Sequence, residues 1–131
     1  MIVGDGPILQ EIPDRGNIIK CGVVGYTKIP EFINIADVCV FPVSEDCSPI
    51  VISEYLAVGK PIVMPKGRMD WLLIDGESGY LVDNNIHSWK RGIDQAIKIK
   101  NSTTTHNLNL AKQLSWQKLG STYENFIIKT V

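Results

Sequence analysis

Asp46 and Glu54 form a D-x7-E pair within the run Phe41 to Val63, F-P-V-S-E-D-C-S-P-I-V-I-S-E-Y-L-A-V-G-K-P-I-V. Between them, Ser48-Pro49 is expected to open a helix. Serine is a natural N-cap, and proline fits the first helical position, where its missing N–H would have no partner in any case. The free N–H groups of Ile50 and Val51, reinforced by the helix dipole, favour an anion such as a phosphate. Glu54 follows one turn later. Ile50, Val51, Ile52, Tyr55, Leu56, Ala57 and Val58 place apolar side chains nearly all round that helix, which predicts burial on more than one side. A carboxylate in such surroundings needs donors. Sugar hydroxyls supply them, because an ionised carboxylate only accepts and takes two at once. A buried backbone group or a lysine would serve as well, and position alone leaves these readings open. Asp46, on the loop into the helix, would flank one cavity with Glu54. Glu45 beside it reads as a solvated turn residue.

Positioning such a pair requires a strand that ends at the loop and a helix that starts there. The chain supplies that order repeatedly. Met1–Val3, Ile18–Cys21, Val38–Phe41, Pro61–Met64 and Gly79–Val82 are short apolar runs bounded by Gly, Pro, Asp or Ser, which predicts buried strands. Their continuous apolar character suits a parallel sheet covered on both faces. Ile29, Phe32, Ile33 and Ala36 recur at helical spacing, as do Trp89, Ile93, Ala96 and Ile97, with Asn84, Asn85 and Ser88 as candidate caps. Asn101–Thr105 reads as a polar linker before two C-terminal helices within 107–129. The second is expected to bury Trp116, Leu119, Tyr123, Phe126 and Ile127 along one stripe, capped by Ser115. The whole reads as an α/β, Rossmann-like, doubly wound parallel sheet, in which the loop after a strand's carboxyl end is the usual ligand site.

Composition narrows the function. The chain has 131 residues, 44% hydrophobic and 21% charged, enough for one globular domain and not for two. Thirteen basic against fourteen acidic side chains give a net charge of −1, which excludes the basic field of a nucleic-acid binder. Cys21, Cys39 and Cys47 are odd in number and show no C-x-x-C spacing, so neither a disulfide framework nor a zinc site is expected. His87 and His106 read as surface residues, not ligands; Cys47 reads as a small packing residue. No apolar run nears the ~18 residues of a membrane span and no leader is visible, so the expected location is the cytoplasm. Lys90, Arg91, Lys98 and Lys100 around the Trp89–Ile99 stripe read as a solvated helix face, leaving peripheral membrane contact unsupported.

The D-x7-E run, followed by Ala57, Gly59, Pro61 and Val63, resembles the donor-binding half of retaining GT-B glycosyltransferases of family 4, the glycosyl transferases group 1 domain. The likeness extends over almost the whole chain. Val3-Gly4-Asp5-Gly6-Pro7 matches the family's V-G-D-G-P turn, and Asn17 to Val24 resembles its N-V-x-F-x-G-x-V strand. Ala36 to Pro42 matches A-D-V-x-V-x-P, Asp75 to Val82 matches D-G-x-x-G-x-L-V, and Ser115-Trp116 with Tyr123 resembles the closing S-W…Y helix.

The resemblance implies a catalytic-site role for Asp46, which would hold donor-sugar hydroxyls. Glu54 would accept the ribose hydroxyls of a UDP-, GDP- or ADP-sugar. Ser48 and the N–H groups of Ile50 and Val51 would face the sugar or diphosphate, and backbone at Val23 and Val24 would border the base. It implies transfer of a hexosyl group to a saccharide or lipid-linked acceptor, as in polysaccharide biosynthesis, with retained configuration and neither metal nor other cofactor. Asp46-Cys47-Ser48-Pro49 replaces the commoner Glu-Gly-Phe-Gly, which removes one backbone donor and shifts donor preference. Trp71 stands where the family often has glutamate, and Arg68 reads as a solvated loop residue.

The family's Arg/Lys diphosphate clamp precedes V-G-D-G-P, on the central strand of the sheet, and Lys60 and Lys66 match no clamp motif. Met1 falls directly on the first strand. The chain is therefore expected to be an N-terminally truncated domain spanning residues 1–131, lacking that central strand and the acceptor-binding N-terminal domain. The isolated chain is expected to transfer little sugar. The alternatives are a degenerate, non-catalytic assembly module and a nucleotide-sugar epimerase fragment; the latter would want cleft histidines.

Overall fold

The computed structural model describes residues 1–43, 45, 50–67 and 70–130. They form two compact units, Met1–Phe32 and Ile33–Val131.

In the first unit, Ile2 and Lys20 form an isolated parallel bridge. The Ile2 N–H donates to Ile19 O at 2.8 Å, Cys21 N–H to Ile2 O at 2.8 Å and Gly4 N–H to Gly22 O at 2.7 Å. The two runs expected as buried strands thus pair, but they are not buried. Val3 and Ile19 are exposed, and no residue of this unit is fully buried. Two short strands alone cannot cover each other's faces. The unit also contains 3₁₀ turns at Pro7–Glu11 and Tyr26–Lys28. The boundary between units falls within α1 (Ile29–Asn34).

The second unit is built on a three-stranded parallel sheet. It contains β1 (Cys39–Val40), β2 (Ile62–Pro65) and β3 (Gly79–Val82) in the order β1-β2-β3. The register pairs Cys39 with Ile62 and Ile62 with Gly79. All four β2 residues are buried, as the continuous apolar run required of a central strand. Helices cover both faces. On one, α2 (Ile50–Ala57) packs Ile52 and Leu56 against Ile62, Met64, Leu72 and Leu73. On the other, Val63 and Val82 meet Ala96, with Trp89 and Ile93 of α3 (Ile86–Gln113) beside them. Only one face of α2 is fully buried; Ile50 is 73% exposed, so the apolar girdle does not bury the helix all round.

The expected linker at 101–105 does not exist. α3 runs unbroken for 28 residues, starting from Asn85, whose side chain accepts from the Ser88 N–H. Within that polar run Thr103 is an interior contact, and Asn107, just beyond it, is another. Thr103 Oγ1 donates to Glu77 O at 3.0 Å, and Asn107 Nδ2 donates to Lys60 O at 2.8 Å and Ser78 O at 3.0 Å. These carbonyls lie just ahead of β2 and β3. α3 therefore passes along the amino ends of the strands, and its Leu110, Ala111 and Leu114 reach the α2 side of the core.

A final helix, α4 (Trp116–Thr130), begins with the Ser115 hydroxyl accepting from the Lys118 N–H at 3.3 Å, as the expected cap. Its apolar stripe is exposed, with Trp116 at 87% and Tyr123 at 69%. The stripe marks an amphipathic helix correctly, but α4 packs against α3 and leaves most of that stripe uncovered.

Candidate functional site

The carboxyl ends of β1 and β2 and the start of α2 define one pole of the second unit. Phe41 N–H donates to Val63 O at 2.9 Å, extending the β1–β2 ladder to the point where the chain leaves toward α2. Glu54 is half-buried on α2. Its carboxylate makes no hydrogen bond or ion pair with any described residue. The two protein-internal readings, capping a backbone group and pairing with a lysine, thus lack support among the described residues. Ile50 and Val51 occupy the first turn of α2, where backbone N–H groups have no intrahelical partner. Asp46 and Ser48 lie outside the described residues, so the partnership of Asp46 with Glu54 stays an expectation. Val23 and Val24 belong to the first unit, following Gly22, whose φ of 65 reverses the chain after the paired strand; Val23 is 74% exposed and Val24 half-buried.

Burial dominates the electrostatics around α2. It pushes the Tyr55 phenol up to about 12, with Cys39 and Glu54 adding to the rise. It also pushes the Cys39 thiol up to about 12 against the opposing charge of Lys60. Tyr55 is therefore neutral at physiological pH and cannot act as an anionic base. Cys39 holds almost no thiolate, the form that reacts. We expect iodoacetamide at pH 8 to leave Cys39 unmodified in the folded chain and to label it in urea, as read by peptide mass mapping. Labelling without denaturant would contradict this assignment.

Two described residues near this pole gave little sequence signal. Lys66 follows β2 directly; its N–H donates to Val82 O at 2.8 Å and its ammonium meets Asp83 at 3.1 Å. Trp71 sits on the 3₁₀ turn Asp70–Leu72 and is 63% exposed, while Leu72 and Leu73 anchor that turn in the core beside α2. Only its departure from the family pattern singled out Trp71. No group of three His, Cys, Asp or Glu that could hold a metal occurs among the described residues, and no described helix is long and apolar enough to cross a membrane.

Comparison with solved structures finds sucrose-phosphate synthase (tll1590) from Thermosynechococcus elongatus, with a TM-score of 0.68 at 19% identity over 85% of this chain. The chain spans 30% of that protein's length. The likeness is one of fold: an α/β Rossmann-like half of a GT-B architecture. No curated protein matches the chain. The family described as "Glycosyl transferases group 1" matches residues 1–98, and with three quarters of its length inside that match the chain belongs to the glycosyl transferases group 1 family.

Proposed function

We propose that this chain is the donor-binding half of a retaining hexosyltransferase, taking a nucleoside-diphosphate sugar at the α2 pole. The observation that carries the reading is Glu54: a half-buried carboxylate with no hydrogen-bond or ion-pair partner among the described residues, one turn along α2 from Ile50 and Val51. Ribose hydroxyls are the donors that this carboxylate lacks. A diphosphate is the anion that the helix start favours. Asp46 and Ser48 hold the sugar in this scheme. The reaction requires no metal or cofactor, and the acceptor is a saccharide or a lipid-linked acceptor in the cytoplasm. An acceptor-binding N-terminal domain completes the cleft in the longer enzyme. Holding donor against acceptor supplies most of the rate, so this chain alone turns over little.

The test is a ¹⁵N–¹H titration with UDP-, GDP- and ADP-sugars. One nucleotide is expected to shift the amides of α2 and thereby identify the base. Glu54→Ala removes charge-assisted hydrogen bonds worth about 1.5–3 kcal/mol and should weaken binding roughly ten- to a hundred-fold. Glu54→Gln, which keeps one acceptor, should fall between. Well-dispersed spectra that no nucleotide sugar moves would overturn the proposal in favour of a non-catalytic assembly module.

A further inference from the structure

A concavity of about 200 Å³ lies along the outer edge of β3, between Tyr80–Asp83 and the first turns of α3, with Lys66 at its rim and no residue of α2 in its lining. β2 separates this edge from β1, the strand that leads into α2. Three α3 residues facing the cleft, Ser88, Arg91 and Gln95, recur at helical spacing and so share one face. Ser88 is only 7% exposed, and its hydroxyl has no hydrogen-bond partner among the described residues. The exposed Arg91 guanidinium has no ion pair or hydrogen bond among them either.

Charge and size restrict what this cleft can take. Lys66 and Arg91 are balanced by Asp75 and Asp83, so no net field recruits an anion or a cation. Lys66 is already bound to Asp83 at 3.1 Å, and an incoming anion would have to compete with that carboxylate. Asp75 uses one oxygen to accept from the Leu81 N–H at 2.8 Å and keeps the other. The cleft therefore alternates donors (Arg91), acceptors (Asp75) and groups that do both (Ser88, Gln95). Adjacent hydroxyls on one ring need this alternation, because each is donor and acceptor at once. Tyr80, half-buried in the wall, adds an aromatic side chain against which a C–H face can pack. The volume is below the ~300–1,000 Å³ of pockets that enclose drug-sized ligands, which excludes a whole nucleotide sugar and suits one sugar ring.

We propose that the β3-edge cleft is a subsite for a single neutral pyranose unit, separate from the donor site and independent of Glu54. It would hold one residue of a saccharide chain while the α2 pole holds the donor.

The test uses the full chain in ¹⁵N–¹H titrations with methyl α-glucopyranoside, methyl α-mannopyranoside and methyl β-galactopyranoside. Inorganic phosphate and UDP-glucose run as parallel arms. At least one pyranoside is expected to shift the amides of Tyr80–Asp83 and Ser88–Gln95, with a midpoint of about 1–10 mM, the range expected for a dozen-atom neutral ligand. Arg91→Ala and Gln95→Ala should each weaken that midpoint at least several-fold, whereas Glu54→Ala should leave it unchanged. Shifts with phosphate but with no pyranoside would overturn the proposal in favour of an anion site. Pyranoside shifts confined to α2, or none with any of the three sugars, would also overturn it. The α2 response to UDP-glucose reports on the donor reading separately, so either can fail while the other stands.

Discussion

Gly79→Ala should strongly destabilise the sheet unit. A Cβ at this position would lie 1.8 Å from Ile62 O and 2.6 Å from Ile62 N, both backbone atoms of the central strand. Residues 62 and 79 are register partners, so no side-chain rotation relieves the overlap; only separating β2 from β3 does. Overpacking by a methyl group ordinarily costs ~1–3 kcal/mol, and this contact belongs at or beyond the upper end because the obstructing atoms are main chain. At that cost the melting temperature should fall by at least roughly 10 °C, measured by circular dichroism. Gly76→Ala is the matched control. Its φ of 82 disfavours a side chain, but nothing lies within 4 Å of the added carbon, so about 1–2 kcal/mol of backbone strain is the whole expected effect. Equal melting of the two variants would show that the close approach at Gly79 does not exist in solution.

Asn107→Leu should be nearly as damaging, for a polar reason. Asn107 is fully buried, and its amide is a donor to both Lys60 O and Ser78 O. Leucine has a similar branched shape but leaves Lys60 O without that donor, at about 1–3 kcal/mol, while Ser78 O keeps the Ile62 N–H at 3.2 Å. A loss of about 1–3 kcal/mol in urea titration is expected, with an unchanged slope if only stability is affected. Asn109→Leu provides the comparison. It stands two residues further along α3 on an exposed position and should change stability by less than about 0.5 kcal/mol. A solvated helix face would give two neutral substitutions; the structure requires one damaging and one silent.

These two residues also show what could be read from the chain beforehand. Gly79 and the strand it starts are legible, because a continuous apolar run bounded by turn residues has few alternatives. The same holds for β2, for the Asn85 cap of α3 and for the Ser115 cap of α4. Thr103, inside the run read as a linker, was misleading because periodicity arguments count a buried polar residue as an exposed one, and the burial of Asn107 gave no apolar signal either. Only the carbonyls of Lys60, Glu77 and Ser78, distant in sequence, explain why these side chains turn inward. The α4 stripe misled in the opposite direction: amphipathicity shows that a helix has an apolar side, not that its own chain covers it. At the candidate site, Glu54 and its helix followed from residue type and spacing, whereas its lack of a partner among the described residues needed coordinates. The β3-edge cleft left a trace in the sequence, the polar repeat Ser88, Arg91, Gln95. That trace could be interpreted only after the edge strand opposite it was known.

The course of α3 ties the amino ends of the strands to the cores on both faces of the sheet. Through Thr103 and Asn107, one long helix fastens the loops ahead of β2 and β3, and it contributes to the cores on both sheet faces. It acts as a splint along one end of the molecule. Strand ends and covering layers are therefore coupled: a change that frees the amino ends of β2 and β3 also loosens the packing on both faces of the sheet.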